Sequence, residues 1–501
     1  MEQGNPGRLI PVIRSSHSPT PIVSAGKYLL LSLIVLVASY VLWGRVGANN
    51  YLITVIGLIG VAIFTVISFK SLLVPFFLLL LSVGGFRTIW SIQTPLLPDF
   101  YLDRIMLVWL FLIFIIKLFA EGRLPLRPWR LDLLIFAHGV YILVRVLTVN
   151  VENFNMWVTS VMIPYTIYFF AKNIIRNKRD IQMLLAVLLG LSIYYNITSI
   201  AEKFDINWLL WPRYMVIPHE LFSERSCGPI RNPGIFGNAL GMLLPLHLYF
   251  IVKAKNLPLR ILLAVSMMMG LAGLYFTYTR GSWIAGLVGI GTVALLNMRQ
   301  YLRLMAPMTV FLPLAAVLVL GIGQDTVMQK RLENEETIGA RVGTQITAMR
   351  VFRDYPLLGC GSFDYARVRD NYIDPVEVPL LGTIRFKQFR RNSAHDMYLG
   401  PLAEDGLVGM GLLMAIYATF IGTLLRKYRW RHHGDEFAIL VIPLLAGIAA
   451  NYLFGGLTIS YRHTTILGTL FFMAAGIVDG YRPEEQEPST EPAYSPEGER
   501  T

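Results

Sequence analysis

Long uninterrupted apolar runs, each near the length that crosses a bilayer, alternate along this chain with polar connections. A membrane-spanning helix needs about 20 consecutive apolar residues, whereas a barrel strand shows about ten residues of strict alternation. The runs here are continuous, so the pattern predicts an all-α polytopic membrane protein. About fourteen spans are expected, at roughly 27–44, 51–69, 71–87, 104–120, 131–149, 157–174, 181–200, 234–253, 260–278, 282–298, 302–322, 398–425, 437–454 and 463–479.

The basic residues give these spans a direction. Loops containing Lys70, then Arg123, Arg127 and Arg130, then Arg176, Lys178 and Arg179, alternate with loops poor in positive charge such as Asn150 to Asn155. The series continues with Lys253, Lys255 and Arg260, with Arg299 and Arg303, and with Arg426, Lys427, Arg429 and Arg431. Positive charge is retained on the cytoplasmic side, so both termini are expected inside. The expected organisation is a cytoplasmic segment 1–26, helices one to seven over 27–200, and a first motif loop with helices eight to eleven over 201–322. A long external loop over 323–397, helices twelve to fourteen over 398–480 and a disordered cytoplasmic tail 481–501 follow. The first 26 residues are polar and contain Pro and Ser, which does not fit a removable signal peptide.

Composition agrees: 54% of residues are hydrophobic, 15% are charged and the mean hydropathy is +0.54, against about 25% charged in soluble domains. The net charge of +12 does not form one stripe, so nucleic acid is not the expected partner; membrane lipid is. Cys227 and Cys360 both fall in segments placed outside, where a disulfide and two free thiols are both open readings.

Two external segments, about 201–233 and 323–397, are far longer than ordinary connections. Both carry arginines that topology does not require. In the longer one Ile338, Val342, Ile346 and Met349 recur at helical spacing, predicting an amphipathic helix against the membrane or the bundle. Pro356-Leu357-Leu358-Gly359-Cys360-Gly361 then predicts a turn.

Three stretches on that side carry candidate chemistry: Arg225 to Pro233, with Arg225 and Arg231; the tight turn Tyr278-Thr279-Arg280-Gly281-Ser282; and His395-Asp396-Met397-Tyr398-Leu399. Arginine binds pyrophosphate through a planar, permanently charged fork. A histidine near neutrality takes a proton from an attacking hydroxyl. Together they suit displacement of a pyrophosphate by a hydroxyl. Each also has a plainer reading. Arg280 can snorkel to headgroups, Arg225 and Arg231 can neutralise Glu224, and His395 can simply begin a helix with Asp396 as a dipole partner. Glu404 can face water at the interface, and His138, Arg145 and His247 read as packing or interfacial residues. No P-loop and no metal-spaced carboxylate cluster is present.

The combination resembles a known family. His395-Asp396-Met397-Tyr398-Leu399, followed by Leu402-Ala403-Glu404-Asp405-Gly406-Leu407-Val408-Gly409, is similar to the His-Asn-x-Tyr-Leu and Leu-Ala-Glu-x-Gly-x-x-Gly signature of the O-antigen ligase and polymerase superfamily. Tyr278 to Trp283 resembles its Ser-Arg-Gly turn, with Thr279 in place of serine. Arg225-x-x-Gly228 with Asn232-Pro233 resembles its first external motif, and Arg341 with Pro356 to Gly361 resembles the two ends of its loop helix. Asp396 departs from the usual asparagine. A carboxylate there either raises the imidazole's basicity or repels an anionic donor.

The resemblance implies a metal-independent, cofactor-free glycosyltransferase of the membrane-embedded, polyprenyl-phosphate-sugar-using kind. It would sit in a bacterial inner membrane, with its site facing the periplasm. The implied donor is a glycan on undecaprenyl pyrophosphate, and the acceptor is lipid A–core or another glycan. By similarity Arg225 and Arg280 hold the pyrophosphate and His395 activates the acceptor hydroxyl; Arg231, Arg341, Asp396, Tyr398 and Glu404 are secondary candidates. The alternative is a transporter of lipid-linked glycan, which needs the cations but no base.

Overall fold

Helices follow the apolar runs closely. The computed structural model describes residues 51–89, 91–92, 100–121, 130–148, 150–217, 222, 224–297, 335–378, 382–384, 394–459 and 465–482. The helices are α1 (Tyr51–Lys70), α2 (Leu73–Leu81), α3 (Leu102–Glu121), α4 (Arg130–Val144), α5 (Val151–Trp157), α6 (Ile163–Ile174), α7 (Lys178–Lys203) and α8 (Pro233–Leu243). They continue as α9 (Pro245–Lys253), α10 (Leu257–Phe276), α11 (Arg280–Leu296), α12 (Glu335–Asp354), a single turn α13 (Tyr365–Val368), α14 (Leu399–Tyr428), α15 (Ile442–Gly455) and α16 (Thr465–Gly480). Two short antiparallel pairs, Ser91–Ile92 with Phe100–Tyr101 and Val376–Val378 with Gly382–Ile384, complete the regular structure.

The helix starts are written locally. Asn177, Asn232 and Asn256 each turn a side-chain oxygen onto a first-turn N–H of α7, α8 and α10, satisfying donors that have no partner inside the helix. Proline occupies the first turn of α8, α9, α10 and α15, where its missing N–H costs nothing.

Among the described residues five helices are long and apolar enough to cross a membrane: Lys178–Lys203, Pro233–Lys253, Leu257–Phe276, Leu399–His433 and Phe437–Gly455. A sixth is added if the bent pair Gly57–Lys70 and Leu73–Phe86 counts as one span. The protein is therefore a multi-pass α-helical membrane protein, but the expected fourteen spans are not reached here. Spans 27–44 and 302–322 lie outside the described residues. Several others are shorter or broken: α4 has 15 residues, and the expected span 157–174 is interrupted by a π-turn at Val158–Met162. Arg280–Leu296 and Thr465–Gly480 are apolar but shorter than the five.

The chain divides into two compact units, Met1–Pro75 with Val108–Pro125, and Phe76–Leu107 with Leu126–Thr501. In the first, Trp109 Nε1 donates to Ser68 Oγ (3.2 Å) and Lys117 Nζ to the Phe69 carbonyl (3.0 Å). The second holds every candidate residue. Its helices meet through small residues, as lipid-embedded helices do for lack of a hydrophobic drive between them. A Cβ on Gly241 would stand 2.9 Å from Gly286 Cα, and one on Gly289 3.0 Å from the Gly447 carbonyl. Between α6 and α16, buried Lys172 pairs with Asp479 (2.7 Å) and Asp132 (2.5 Å). Lys427 Nζ donates to the carbonyls of Val478, Asp479 and Tyr481 at the end of α16.

The amphipathic helix expected in the long loop is α12. Its buried face differs from the expected stripe. Gly343, Thr347, Ala348 and Val351 are buried, Val342 and Ile346 are half-buried, and Met349 is 38% exposed; the side chain of Ile338 is outside the described residues. Ala348 and Val351 pack with Tyr365, Ala394 and Ala403. Close approach to this backbone selects small side chains over the larger apolar ones.

Candidate functional site

Two of the three motifs are tied together by Arg225. Its Nε donates to the Thr277 carbonyl (2.9 Å) and its Nη2 to Thr279 Oγ1 (2.5 Å), so the guanidinium is anchored to the turn that begins α11. Arg280 is the first residue of that helix. It is exposed, and among the described residues it has no hydrogen-bond or ion-pair partner. A cation at a helix N-terminus opposes the macrodipole, typically by about 0.3–1 kcal/mol. An anion seated there would reverse that cost.

The loop that carries Arg225 is held from below by a residue the sequence reading passed over. Glu202 Oε2 accepts from the backbone N–H of Cys227 (2.8 Å) and Gly228 (2.7 Å). Ser226 N donates to the Phe276 carbonyl (3.0 Å) and Ser226 Oγ to the Ser199 carbonyl (2.9 Å). Arg231 belongs to the same framework: its Nη1 donates to the Tyr214 carbonyl (2.7 Å). Both cysteines are free, and burial pushes the Cys227 thiol up to about 12.

His395 reaches the same end of the bundle through the turn after α15. Met397 N donates to the Gly456 carbonyl (2.7 Å), and Tyr398 OH to the Leu453 carbonyl (2.6 Å). Two residues further on, a Cβ added at Gly281 would meet Thr458 Oγ1 at 2.2 Å, and one at Gly234 would meet Ile459 Cδ1 at 3.1 Å. One short turn thus touches the His395 motif, the start of α11 and the start of α8. Arg231, Tyr278 and His395, one in each motif, adopt left-handed φ of 56°, 46° and 50°. Such conformations in non-glycine residues concentrate where a side chain must be aimed.

His395 is an exposed residue. The surrounding protein, and then the positive charges of Arg341 and Arg369, hold its imidazole below the usual histidine value. Arg341 lies exposed on α12. Arg369, also missed in the sequence reading, is buried and 3.3 Å from Asp370. Asp396 faces elsewhere: its Oδ1 accepts from the N–H of Tyr398 (2.7 Å) and Leu399 (2.8 Å). Its carboxyl is raised by burial against these stabilising bonds. These two bonds give Asp396 a capping role at the start of α14. An asparagine oxygen caps equally well, which accounts for the exchange between the two residues. Asp396→Asn should retain stability, while Asp396→Ala should lose about 1 kcal/mol, measured by thermal unfolding in detergent.

A backbone knot fixes the His395 segment to the long loop. Gly406 (φ 63°) breaks α14, and the freed backbone pairs with the Pro356–Gly361 turn. Cys360 N donates to the Ala403 carbonyl, Gly361 N to that of Glu404, Leu407 N to that of Pro356, and Val408 N to that of Leu357, all at 2.9–3.1 Å. Ser362 Oγ donates to Asp405 Oδ1 (2.5 Å), Tyr141 OH to the Asp405 carbonyl (2.7 Å) and Arg145 Nη2 to the Gly359 carbonyl (2.9 Å). Glu404 is buried in this knot rather than facing water. A Cβ on Gly359 would stand 2.2 Å from Glu404 C, and one on Gly406 2.4 Å from the Leu357 carbonyl. Gly359→Ala and Gly406→Ala should each destabilise by at least about 1–3 kcal/mol, read as a lowered melting temperature.

His138 and His247 each bond a side chain of a neighbouring helix. His138 Nδ1 bonds Tyr165 OH (2.6 Å), and His247 Nε2 bonds Ser266 Oγ (3.0 Å). Among the described residues no group of three or more His, Cys, Asp or Glu is placed to hold a metal ion.

Residues 264–414 match the family model described as O-Antigen ligase. The resemblance drawn from the motifs therefore holds over that segment, which contains Arg280, Arg341, His395 and Glu404 and stops short of Arg225 and Arg231. A comparison with curated proteins gives no match.

Proposed function

We propose that this protein transfers a glycan from undecaprenyl pyrophosphate to an acceptor hydroxyl at the outer face of a bacterial inner membrane. The observation that carries the reading is the convergence of Arg225 and Arg280 on one helix-starting turn, with His395 brought to the same end by the turn after α15. The arginines bind the pyrophosphate oxygens and stabilise the charge that grows on them as the sugar leaves. His395, neutral, takes the proton of the acceptor hydroxyl. That oxygen forms the new bond to the anomeric carbon as the bond to the pyrophosphate breaks, and the lipid pyrophosphate departs with its electron pair. His395 then returns the proton to solvent through its exposed edge. The energy resides in the donor's phosphoester bond, so no nucleotide is consumed. Lipid A–core and a growing surface polysaccharide are the two acceptor classes this chemistry serves, and the long loop chooses between them.

The test is transfer by purified protein, with EDTA present, from an undecaprenyl-pyrophosphate-linked glycan to a panel of lipid A–core and glycan acceptors. Product on one acceptor class is expected. No product with any acceptor, from protein that still binds the donor, would sink the reading.

The pH dependence follows from the direction of the His395 shift. A base whose pKa lies below the ordinary value, about 6.5, stays neutral to lower pH, so the acid limb of the rate profile should fall below that value. Removing a lowering charge raises the pKa. Arg341→Gln should therefore move the acid limb upward, and a profile that moves down would exclude the influence of that charge on His395.

A further inference from the structure

Lys203 is the last residue of α7, and a lysine there is usually explained by the negative end of the helix dipole. Its actual placement is more specific. Lys203 Nζ is 2.9 Å from Tyr278 OH, and it lies over the rings of Tyr278 (5.1 Å) and Phe276 (5.6 Å). Tyr278 is buried in a left-handed conformation one residue before Thr279, which accepts from Arg225, and two before Arg280. Three cations are therefore fastened to, or part of, the segment from Phe276 to Arg280. The adjacent Glu202 does not compensate Lys203, because its Oε2 is turned to the amides of Cys227 and Gly228. Among the described residues neither Lys203 nor Arg280 has an ion-pair partner. Like charges held on one short segment repel one another, and an anion bound among them offsets that repulsion.

We infer that Lys203 is a third cationic residue of the same site, binding the diphosphate group of a lipid-linked donor beside Arg225 and Arg280, with Tyr278 aiming its ammonium. This rests on the donor class proposed above. One amine donor of Lys203 is spent on Tyr278, and an ammonium carries three, leaving two for phosphate oxygens. Arginines give the diphosphate its orientation through planar forks, whereas the lysine adds a point charge. The group is thus matched to a doubly phosphorylated headgroup more than to a monophosphate.

The test measures binding of farnesyl pyrophosphate, farnesyl monophosphate and inorganic pyrophosphate to the full chain in nanodiscs. Lys203→Gln should weaken farnesyl pyrophosphate about tenfold or more, the loss of one charge-assisted hydrogen bond, while Lys203→Arg stays within about threefold. The monophosphate should lose less. Retention of the lipid-linked probe with no binding of inorganic pyrophosphate identifies the lipid headgroup as the source. Equal binding of both identifies the free diphosphate and overturns the lipid-donor part of the inference. An independent measurement uses the wild-type chain, so that a poorly folding variant does not decide the matter. Acetylation of Lys203 by acetic anhydride, followed by mass spectrometry, should be suppressed by farnesyl pyrophosphate. Unaltered labelling in bound protein, or a Lys203→Gln variant that binds like wild type, overturns the role of Lys203 and leaves the proposed transfer standing. A wild-type protein that binds no diphosphate probe overturns both.

Discussion

His395→Ala is expected to abolish glycan transfer while leaving membrane insertion and donor binding in place. General-base catalysis contributes roughly 10²–10⁴-fold, which reads as complete loss in a cellular assay. The separation from binding follows from position. His395 is exposed and its ring makes no hydrogen bond among the described residues, so its removal leaves no buried partner behind. The motif remains fixed by Met397 N on the Gly456 carbonyl, by Tyr398 OH on the Leu453 carbonyl and by the Asp396 cap. His395 also sits at φ 50°, which asparagine tolerates better than alanine. His395→Asn is therefore the cleaner control for backbone strain, and it should be equally inactive. Transfer by His395→Asn at the wild-type rate would remove the base from the mechanism.

Arg280→Lys is expected to lose tenfold or more in transfer although it keeps the charge. A lysine at this position offers a point charge where a planar fork is needed for two phosphate oxygens, and a hydrogen bond to a charged group is worth about 1.5–3 kcal/mol. The helix itself should not suffer. Among the described residues Arg280 has no protein partner to lose, and a cation at the start of α11 is already unfavourable. Melting temperature should accordingly stay level or rise in Arg280→Ala while activity collapses. Full activity in Arg280→Lys would instead mark a side chain that only reaches for headgroups.

Much of this was legible along the chain because it is local. Apolar runs gave the helices, while the asparagines and prolines that fix several of their starts were passed over. The motif residues Arg225, Arg280 and His395 stood out as ionisable groups that topology does not require. What was not legible is long-range. Nothing in the sequence near residue 202 says that Glu202 will support a loop twenty-five residues away, nor that Arg369 will face His395. The buried face of α12 was misread for a related reason. Period alone favours the larger apolar residues, whereas the fold uses Gly343, Thr347 and Ala348 to bring the backbone close. Asp396 was read by its charge, but its oxygen is occupied by the backbone of the helix that follows. The glycines of the knot were visible as a motif; their purpose became visible only as distances between two backbones.

Transfer, unlike transport, requires that this protein break the donor's sugar–phosphate bond. The most direct measurement uses purified protein in proteoliposomes with a labelled undecaprenyl-pyrophosphate-linked glycan and acceptor, and counts lipid pyrophosphate released against glycan transferred. Release in equal amounts with transfer is expected of wild type, and neither is expected of His395→Ala. Donor that crosses between leaflets with its glycan still attached, at the same rate in both proteins, would contradict transfer and identify a transporter.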